Sequence, residues 1–360
     1  MSGGGPGRRV TLAHVAERAG VSRSAVSFVL SGRTDQRLSE ETSARVRRAA
    51  EELGYRPNAA ARTLRTGRSG TVALVSDFVA STSHANSMVR GALEALRDEG
   101  SLLFTVDTQG DPGLEAQVVE NLLSRSVDGV LYASMFTRSI TVPAALQRVP
   151  YVLLNCVPGP GVAARAVVPD EEAAGRAAGE HLLDLGHRDG VWFVGAFRPG
   201  FTGGAAWHGW SPLALTERLR GLEAALDSVG ATLAGRVPID ADWDPHDGRA
   251  AVAGLLASGV RPRALVCAND AVAAGAYQAL RRAGLDVPAD VSVVGFDGSA
   301  ISRALDPPLT SVALPQAELG RLAAQLLLGD PTGPPGPPTT ADVRRVPMPL
   351  VLGESTAPPP

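Results

Sequence analysis

From Thr71 onward the chain alternates short apolar runs with amphipathic stretches of helical length, and that rhythm leaves few folds open. Thr71–Val75, Leu102–Val106, Gly129–Tyr132 and Tyr151–Leu154 read as buried strands, and Met88–Glu99 and Glu115–Ser124 as helices between them. The pattern resumes with strands Gly190–Val194, Leu265–Cys267 and Val291–Gly295 and helices Glu217–Val229 and Ala271–Ala283. Strands apolar on both faces need cover on both faces, so the alternation implies parallel sheets between layers of helices. About 290 residues is more than one such sheet comfortably takes, so two α/β lobes are expected.

The first 68 residues follow a different rule. Thr11 can cap a helix through about Arg18, with Leu12, Val15, Ala16 and Ala19 on one apolar stripe. Gly20 supplies a turn, because glycine adopts backbone angles that other residues avoid. Ser22 can then cap a second helix that buries Val26, Val29 and Leu30 and exposes Arg23, Ser24, Ser27 and Phe28. Ser39 opens a third helix with Glu40 and Glu41 at its positive end, an apolar face at Val46, Ala49, Ala50 and Leu53, and a stop at Gly54. Helix, glycine turn, helix is the plan whose second helix enters a DNA major groove. Asn58–Arg65, after Pro57, is long enough for about two further turns, which alone in water should be mostly melted.

Charge agrees with that division. Residues 1–68 hold 13 Arg against 6 Asp and Glu, +7, whereas the rest holds 21 against 31, −10. A basic head on an acidic body points to a polyanion bound at one end only. All the positive charge is arginine, a bias that GC-rich coding also produces. Cys156 and Cys267 stand far apart without ligand spacing, so buried thiols are expected, with no disulfide framework, metal or cofactor. Met1–Arg9 is a Gly-rich basic arm rather than a signal peptide, and no run approaches the roughly 20 apolar residues of a membrane span, which places the chain in the cytoplasm. The N-terminal glycines precede no strand–helix unit, and GxSxG, HExxH or clustered His and carboxylate sets are missing, so catalysis is not expected.

Val10–Ala16, Ala19-Gly20-Val21-Ser22 and Glu52–Asn58 closely resemble the head and hinge of the lactose-repressor (LacI) family. The likeness continues at Val127–Val130, His181–Arg188, Ala268-Asn269-Asp270, Val287–Asp297 and Asp306–Thr310, covering essentially the whole chain in the family's order. It implies a small all-α helix-turn-helix head on a two-lobed body like the type I periplasmic sugar-binding proteins. It further implies a repressor whose homodimer binds a palindromic operator in double-stranded DNA and answers to a small, sugar-like effector between the lobes. A corepressor-dependent regulator, or a solute-binding protein of the same body fold, are the alternatives. No leucine heptads for a tetramer stand at the C-terminal end, so a dimer is expected.

The resemblance also distributes roles. Arg23 and Ser24 take the base-reading positions; Thr11, Ser22 and Ser27 serve phosphates or the cap. Asn58, Ala61 and Leu64 fall on the hinge, where Leu64 matches a leucine wedged into the minor groove. Phe28 stands where the family commonly has arginine, and either touches a thymine methyl or packs on the third helix. Arg218, Asn269 and Asp297 match polar effector ligands and Trp243 an aromatic wall; Asn269-Asp270 could instead cap the next helix, the reading preferred for Asp270. His84 lies in a segment, Ser83–Asn86, that replaces an aromatic-rich one in many relatives. Trp207 and Trp210 lie in a long 197–216 loop that either restores that wall or is a surface excursion.

The expected divisions are a 1–9 arm, a 10–56 DNA-binding domain, a 57–68 hinge and a 69–360 effector-binding and dimerisation domain. Within the last, 69–168 with 301–328 would form one lobe and 169–300 with 340–356 the other, with Pro331–Pro338 a loop and Ala357–Pro360 a frayed tail.

Overall fold

A computed structural model describes residues 10–30, 38–55, 63, 67–79, 82, 85–197, 213–239, 243–329 and 340–360. It divides into two compact units, residues 1–69 and 70–360.

In the first unit, α1 (Leu12–Ala19), α2 (Arg23–Leu30) and α3 (Glu40–Glu52) close on a core of Val15, Val26 and Val46, all fully buried, with Ala16, Ala19, Ala49 and Ala50 around them. Gly20, at φ 66°, ends α1 and turns its N–H back to Glu17 at 3.3 Å. The Ser22 hydroxyl accepts from the Ala25 N–H at 3.2 Å and the Ser39 hydroxyl from the Thr42 N–H at 3.2 Å, so the caps expected at these two serines are present, while at Thr11 the backbone N–H donates to His14 Nδ1 at 3.3 Å. Val29 and Leu30, expected inside, are half-buried and pack against the edge of this core.

Among the described residues, the second unit holds two six-stranded sheets. The first runs β11–β5–β4–β3–β1–β2, from β1 (Thr71–Ser76), β2 (Leu102–Asp107), β3 (Gly129–Ile140), β4 (Tyr151–Pro158), β5 (Arg165–Pro169) and β11 (Asp342–Val346), all in parallel pairs. The second runs β12–β10–β9–β8–β6–β7, from β6 (Val191–Ala196), β7 (Gly235–Pro238), β8 (Ala264–Cys267), β9 (Ser292–Asp297), β10 (Thr310–Ala313) and β12 (Leu350–Val351), parallel except for the β10–β12 pair. Among the described residues, eight α-helices cover them: α4 (Asn86–Asp98), α5 (Pro112–Ser124), α6 (Glu171–Asp184), α7 (Leu213–Asp227), α8 (Pro245–Ala257), α9 (Asp270–Arg282), α10 (Ala300–Ala304) and α11 (Gln316–Gly329).

The lobe boundaries differ from the sequence expectation. Residues 301–313 remain in the second lobe, because α10 packs on α9 and β10 pairs with β9. Residues 342–346 return to the first lobe as the edge strand β11, where Arg165–Pro169 offers an unpaired edge. The chain therefore crosses between lobes after Pro169, after Ala313 and after Val346. Strand alternation alone could not place these crossings, since strands as short as β10 and β12 carry little periodicity.

Helices meet through reciprocal glycines. A Cβ on Gly175 of α6 would lie 1.9 Å from the Arg218 carbonyl oxygen of α7, and one on Gly221 of α7 would lie 1.9 Å from the Glu172 carbonyl oxygen of α6. Gly91 and Gly320 do the same for α4 and α11, as do Gly248 and Gly275 for α8 and α9. Backbones this close hold neighbouring side chains in fixed register, which matters for Arg218. The thiols are free and buried as expected, and burial pushes that of Cys156 up to about 12.

The tail is not frayed. The Ala357 carbonyl oxygen accepts from His187 Nε2 at 2.9 Å, and its N–H donates to the Ser292 hydroxyl at 3.0 Å. Pro331–Pro338 lies outside the described residues.

Candidate functional site

In the head, α2 presents Arg23 and Ser24 exposed at its start, beside exposed Ser22, and Thr11 is exposed before α1. Their side chains can reach a groove without disturbing the core. Ser27 and Phe28, expected on the open face, are half-buried, because the turn they share with Val26 leans on the bundle. Asn58, Ala61 and Leu64 lie outside the described residues.

In the body, strand ends from both sheets converge on a cavity of about 380 Å³. This is where loops gather in a parallel α/β arrangement. Three of the expected contacts meet there with Arg218: Trp243 precedes α8, Asn269 precedes α9 and Asp297 ends β9. His84, Trp207 and Trp210 lie outside the described residues.

Arg218 is the buried centre. Its Nε and Nη2 donate to the Glu171 carboxylate at 2.6 and 3.3 Å, and its Nη1 donates to the Ala268 carbonyl at 2.7 Å. The guanidinium lies 4.6 Å from the centroid of the Phe296 ring, and Nη2 stands 3.9 Å from the Asp297 carboxylate. Burial alone would lower its pKa, but the carboxylates of Glu171 and Asp297 more than offset this, and the group stays charged.

The expectation that Asp270 caps α9 is corrected. Asn269 is the cap: its Oδ1 accepts from the Val272 N–H at 2.7 Å and its Nδ2 donates to the Trp243 carbonyl at 3.1 Å. Asp270 instead accepts from the Ser311 hydroxyl at 2.6 Å and the Ser299 N–H at 2.7 Å, tying α9 to the ends of β9 and β10. A carboxylate one residue inside the helix can reach sideways to those strands, whereas the cap position faces along the axis. Trp243 is nearly buried, with its indole N–H on the Gly195 carbonyl at 2.9 Å and its ring edge-on to Phe197, centroids 5.3 Å apart.

The first-lobe wall was not foreseen. β3 slips its register on β4 between Ala133 and Arg138, and this irregularity delivers Met135, Phe136 and Thr137 to the cavity. Asp77 holds it from below, accepting from the Ser134 hydroxyl at 2.9 Å, the Met135 N–H at 2.8 Å and Arg138 at 3.3 Å. Asn155 holds it from the side, donating to the Ser134 and Met135 carbonyls and accepting from the Thr137 hydroxyl at 2.9 Å. The sequence signal was a lone asparagine in the apolar run of β4. Among the described residues, five that are not glycine have positive φ, and three of them line the cavity: Asn155 at 58°, Trp243 at 52° and Asp297 at 105°. Such conformations cost roughly 1 kcal/mol or more each and gather where function holds them.

Comparison with known proteins joins head and body. Residues 11–58 match the bacterial regulatory proteins of the lacI family, and residues 179–356 match the periplasmic binding protein-like domain. The ribose operon repressor of Escherichia coli (strain K12) is 32% identical over 327 residues, 90% of this chain and 94% of its own. The chain belongs to the lacI family. Another relative, the HTH-type transcriptional regulator CelR of Thermobifida fusca, is 36% identical over 94% of this chain and 96% of its own. The lac repressor dimer bound to operator and the anti-inducer ONPF matches with a TM-score of 0.77 and 26% identity, over 97% of this chain and 100% of that one. A CelR–cellobiose complex matches with a TM-score of 0.62 and 31% identity, over 96% and 100%. A lacI-family chain is a DNA-binding transcriptional regulator and not an enzyme. No helix among the described residues is long and apolar enough to cross a membrane.

Proposed function

We propose that the chain represses transcription by binding a palindromic operator as a homodimer, and that a small sugar-like molecule in the cavity between the lobes releases it. The observation that carries this reading is the cavity itself. Charged and hydrogen-bonding groups from the second lobe face an irregular strand of the first across a space of ligand size. A molecule touching both walls favours one arrangement of the lobes, and only such differential contact can shift an equilibrium. The ribose operon repressor, CelR and its cellobiose complex support the sugar class, and the operator-bound lac repressor dimer supports the twofold assembly. One head covers one half-site, so a twofold pair suits a palindrome.

Gel-shift titration on the chain's own upstream DNA, at several salt concentrations and with ribose or cellobiose, tests the reading. Specific, salt-dependent binding weakened by one of the sugars is expected. Binding that appears only with a ligand present assigns the corepressor alternative, and failure to bind any specific site overturns the proposal.

A further inference from the structure

We propose that Glu171 sets the charge class of the effector: by engaging Arg218 in advance, it makes the cavity select uncharged molecules and reject carboxylates and phosphates. This deepens the proposed function and rests on its placing of the ligand between the lobes.

An arginine in a dry cavity is ordinarily the feature that attracts an acid, through two parallel N–H donors. Here those donors are occupied. Nε and Nη2 already grip the Glu171 carboxylate, which is itself fully buried at the start of α6. Nη1 has one N–H on the Ala268 carbonyl. The side-on fork of Nε and Nη2 is therefore taken, and of the five guanidinium N–H groups one on each Nη is left, with the Asp297 carboxylate 3.9 Å from Nη2.

The charge count points the same way. Among the described residues lining the cavity, Glu171, Asp244 and Asp297 carry negative charge and Arg218 alone carries positive charge. An anionic ligand would be a further negative charge beside a cation already matched by two carboxylates, one in hydrogen bond and one at 3.9 Å. In low dielectric such a surplus is strongly unfavourable, whereas hydroxyl groups add no charge. The reciprocal Gly175 and Gly221 contacts lock α6 against α7, so the ion pair cannot part by a simple slide of one helix on the other.

The test is a thermal-shift and calorimetric series on the full chain with neutral and acidic probes of matched skeleton: ribose and ribose 5-phosphate, glucose and glucuronate, cellobiose and cellobionate, with inorganic phosphate alone. The wild type should bind no anion in the cavity at millimolar concentration. Glu171→Gln, which removes the charge but keeps the shape, should gain at least tenfold in affinity for one of the acids or for phosphate, read by quenching of tryptophan fluorescence. Binding of an acid by the wild type more tightly than its neutral partner overturns the proposal. So does a Glu171→Gln protein of native circular dichroism that gains no anion. Should that variant fold poorly, the wild-type arm decides by itself. None of these outcomes depends on operator binding, so failure of the repressor reading shows separately in the gel shift.

Discussion

Arg345 of β11 donates to the Glu217 carboxylate of α7 at 2.9 and 3.2 Å, so an edge strand of the first lobe grips a helix of the second. Glu217 is followed by Arg218, so one turn of α7 carries the inter-lobe grip and the cavity's cation together. The Glu217 side chain is 14% exposed and that of Arg345 41%, so solvent screens the pair in part. A double-mutant cycle of Arg345→Ala and Glu217→Ala in urea should give a coupling of about 0.5–1 kcal/mol. Additivity within error would mean that the contact does not hold the lobes.

The glycine contacts make a sharper prediction. Gly175→Ala places a methyl 1.9 Å from a backbone oxygen, and α6 and α7 must part to accept it. The expected cost is about 1–3 kcal/mol or more by thermal or urea unfolding. Gly254, inside α8, has nothing within 4 Å of such a methyl, and Gly254→Ala should stabilise by about 0.5–1 kcal/mol. Equal effects at the two sites would show that helix propensity, not close approach, governs both.

These contrasts mark what the sequence could carry. The head was legible because caps, a glycine turn and an apolar stripe act within a few residues, and Ser22, Gly20 and Ser39 do what their neighbours require. The main strands and helices of the body were legible from periodicity. The late lobe crossings were not, because β10, β11 and β12 are short edge or near-edge strands whose partners lie far away in sequence. Trp243, Asn269 and Asp297 were reachable only through resemblance. The engagement of Arg218 by Glu171 joins residues 47 apart on two helices and leaves no local pattern. The irregularity in β3 depends on Asp77 and Asn155, which lie on either side of it in sequence and meet it only in space.

The C-terminal anchor predicts a pH dependence. His187 is buried; its Nε2 donates to the Ala357 carbonyl, and its Nδ1 has no hydrogen-bond partner among the described residues. Protonation would put a second N–H and a charge into that setting. Burial is the main cause that holds the His187 pKa below its ordinary value; Arg263 adds to it, while the Ala357 contact and Asp189 oppose it. His181, bonded to Thr356 at 2.9 Å, is lowered chiefly by burial as well, with Asp184 opposing. For a histidine depressed on folding, the stabilisation is present above the unfolded value, near 6.5, and lost as pH falls toward the folded one. The urea midpoint of the body should therefore drop between pH 7.5 and 5.5, by less in His187→Gln. Hydrogen exchange at Val293 and Ala357 should rise over the same range, since their N–H groups hold the tail to β9. A pH-independent midpoint in the wild type would exclude the anchor as a titrating element.

In the head, reading and folding should separate by residue. Arg23 is exposed whereas Val26 is fully buried in the head's core, so the two substitutions act on different things. Arg23→Ala should leave the thermal transition within about 0.5 kcal/mol of wild type, as surface substitutions do. On the proposal that Arg23 makes a bidentate contact to guanine, the substitution should weaken specific operator binding by roughly 1–3 kcal/mol. Ser22→Ala removes a cap and should cost about 1 kcal/mol in the head with a proportionate loss of binding. Val26→Ala should be the most damaging of the three, since the head's core, seven buried residues among those described, has little stability to lose. Its loss of binding should track loss of helical circular dichroism and recover at lower temperature, whereas that of Arg23→Ala should persist in a fully helical head. If Arg23→Ala binds operator as the wild type does, the start of α2 is not where this chain reads DNA.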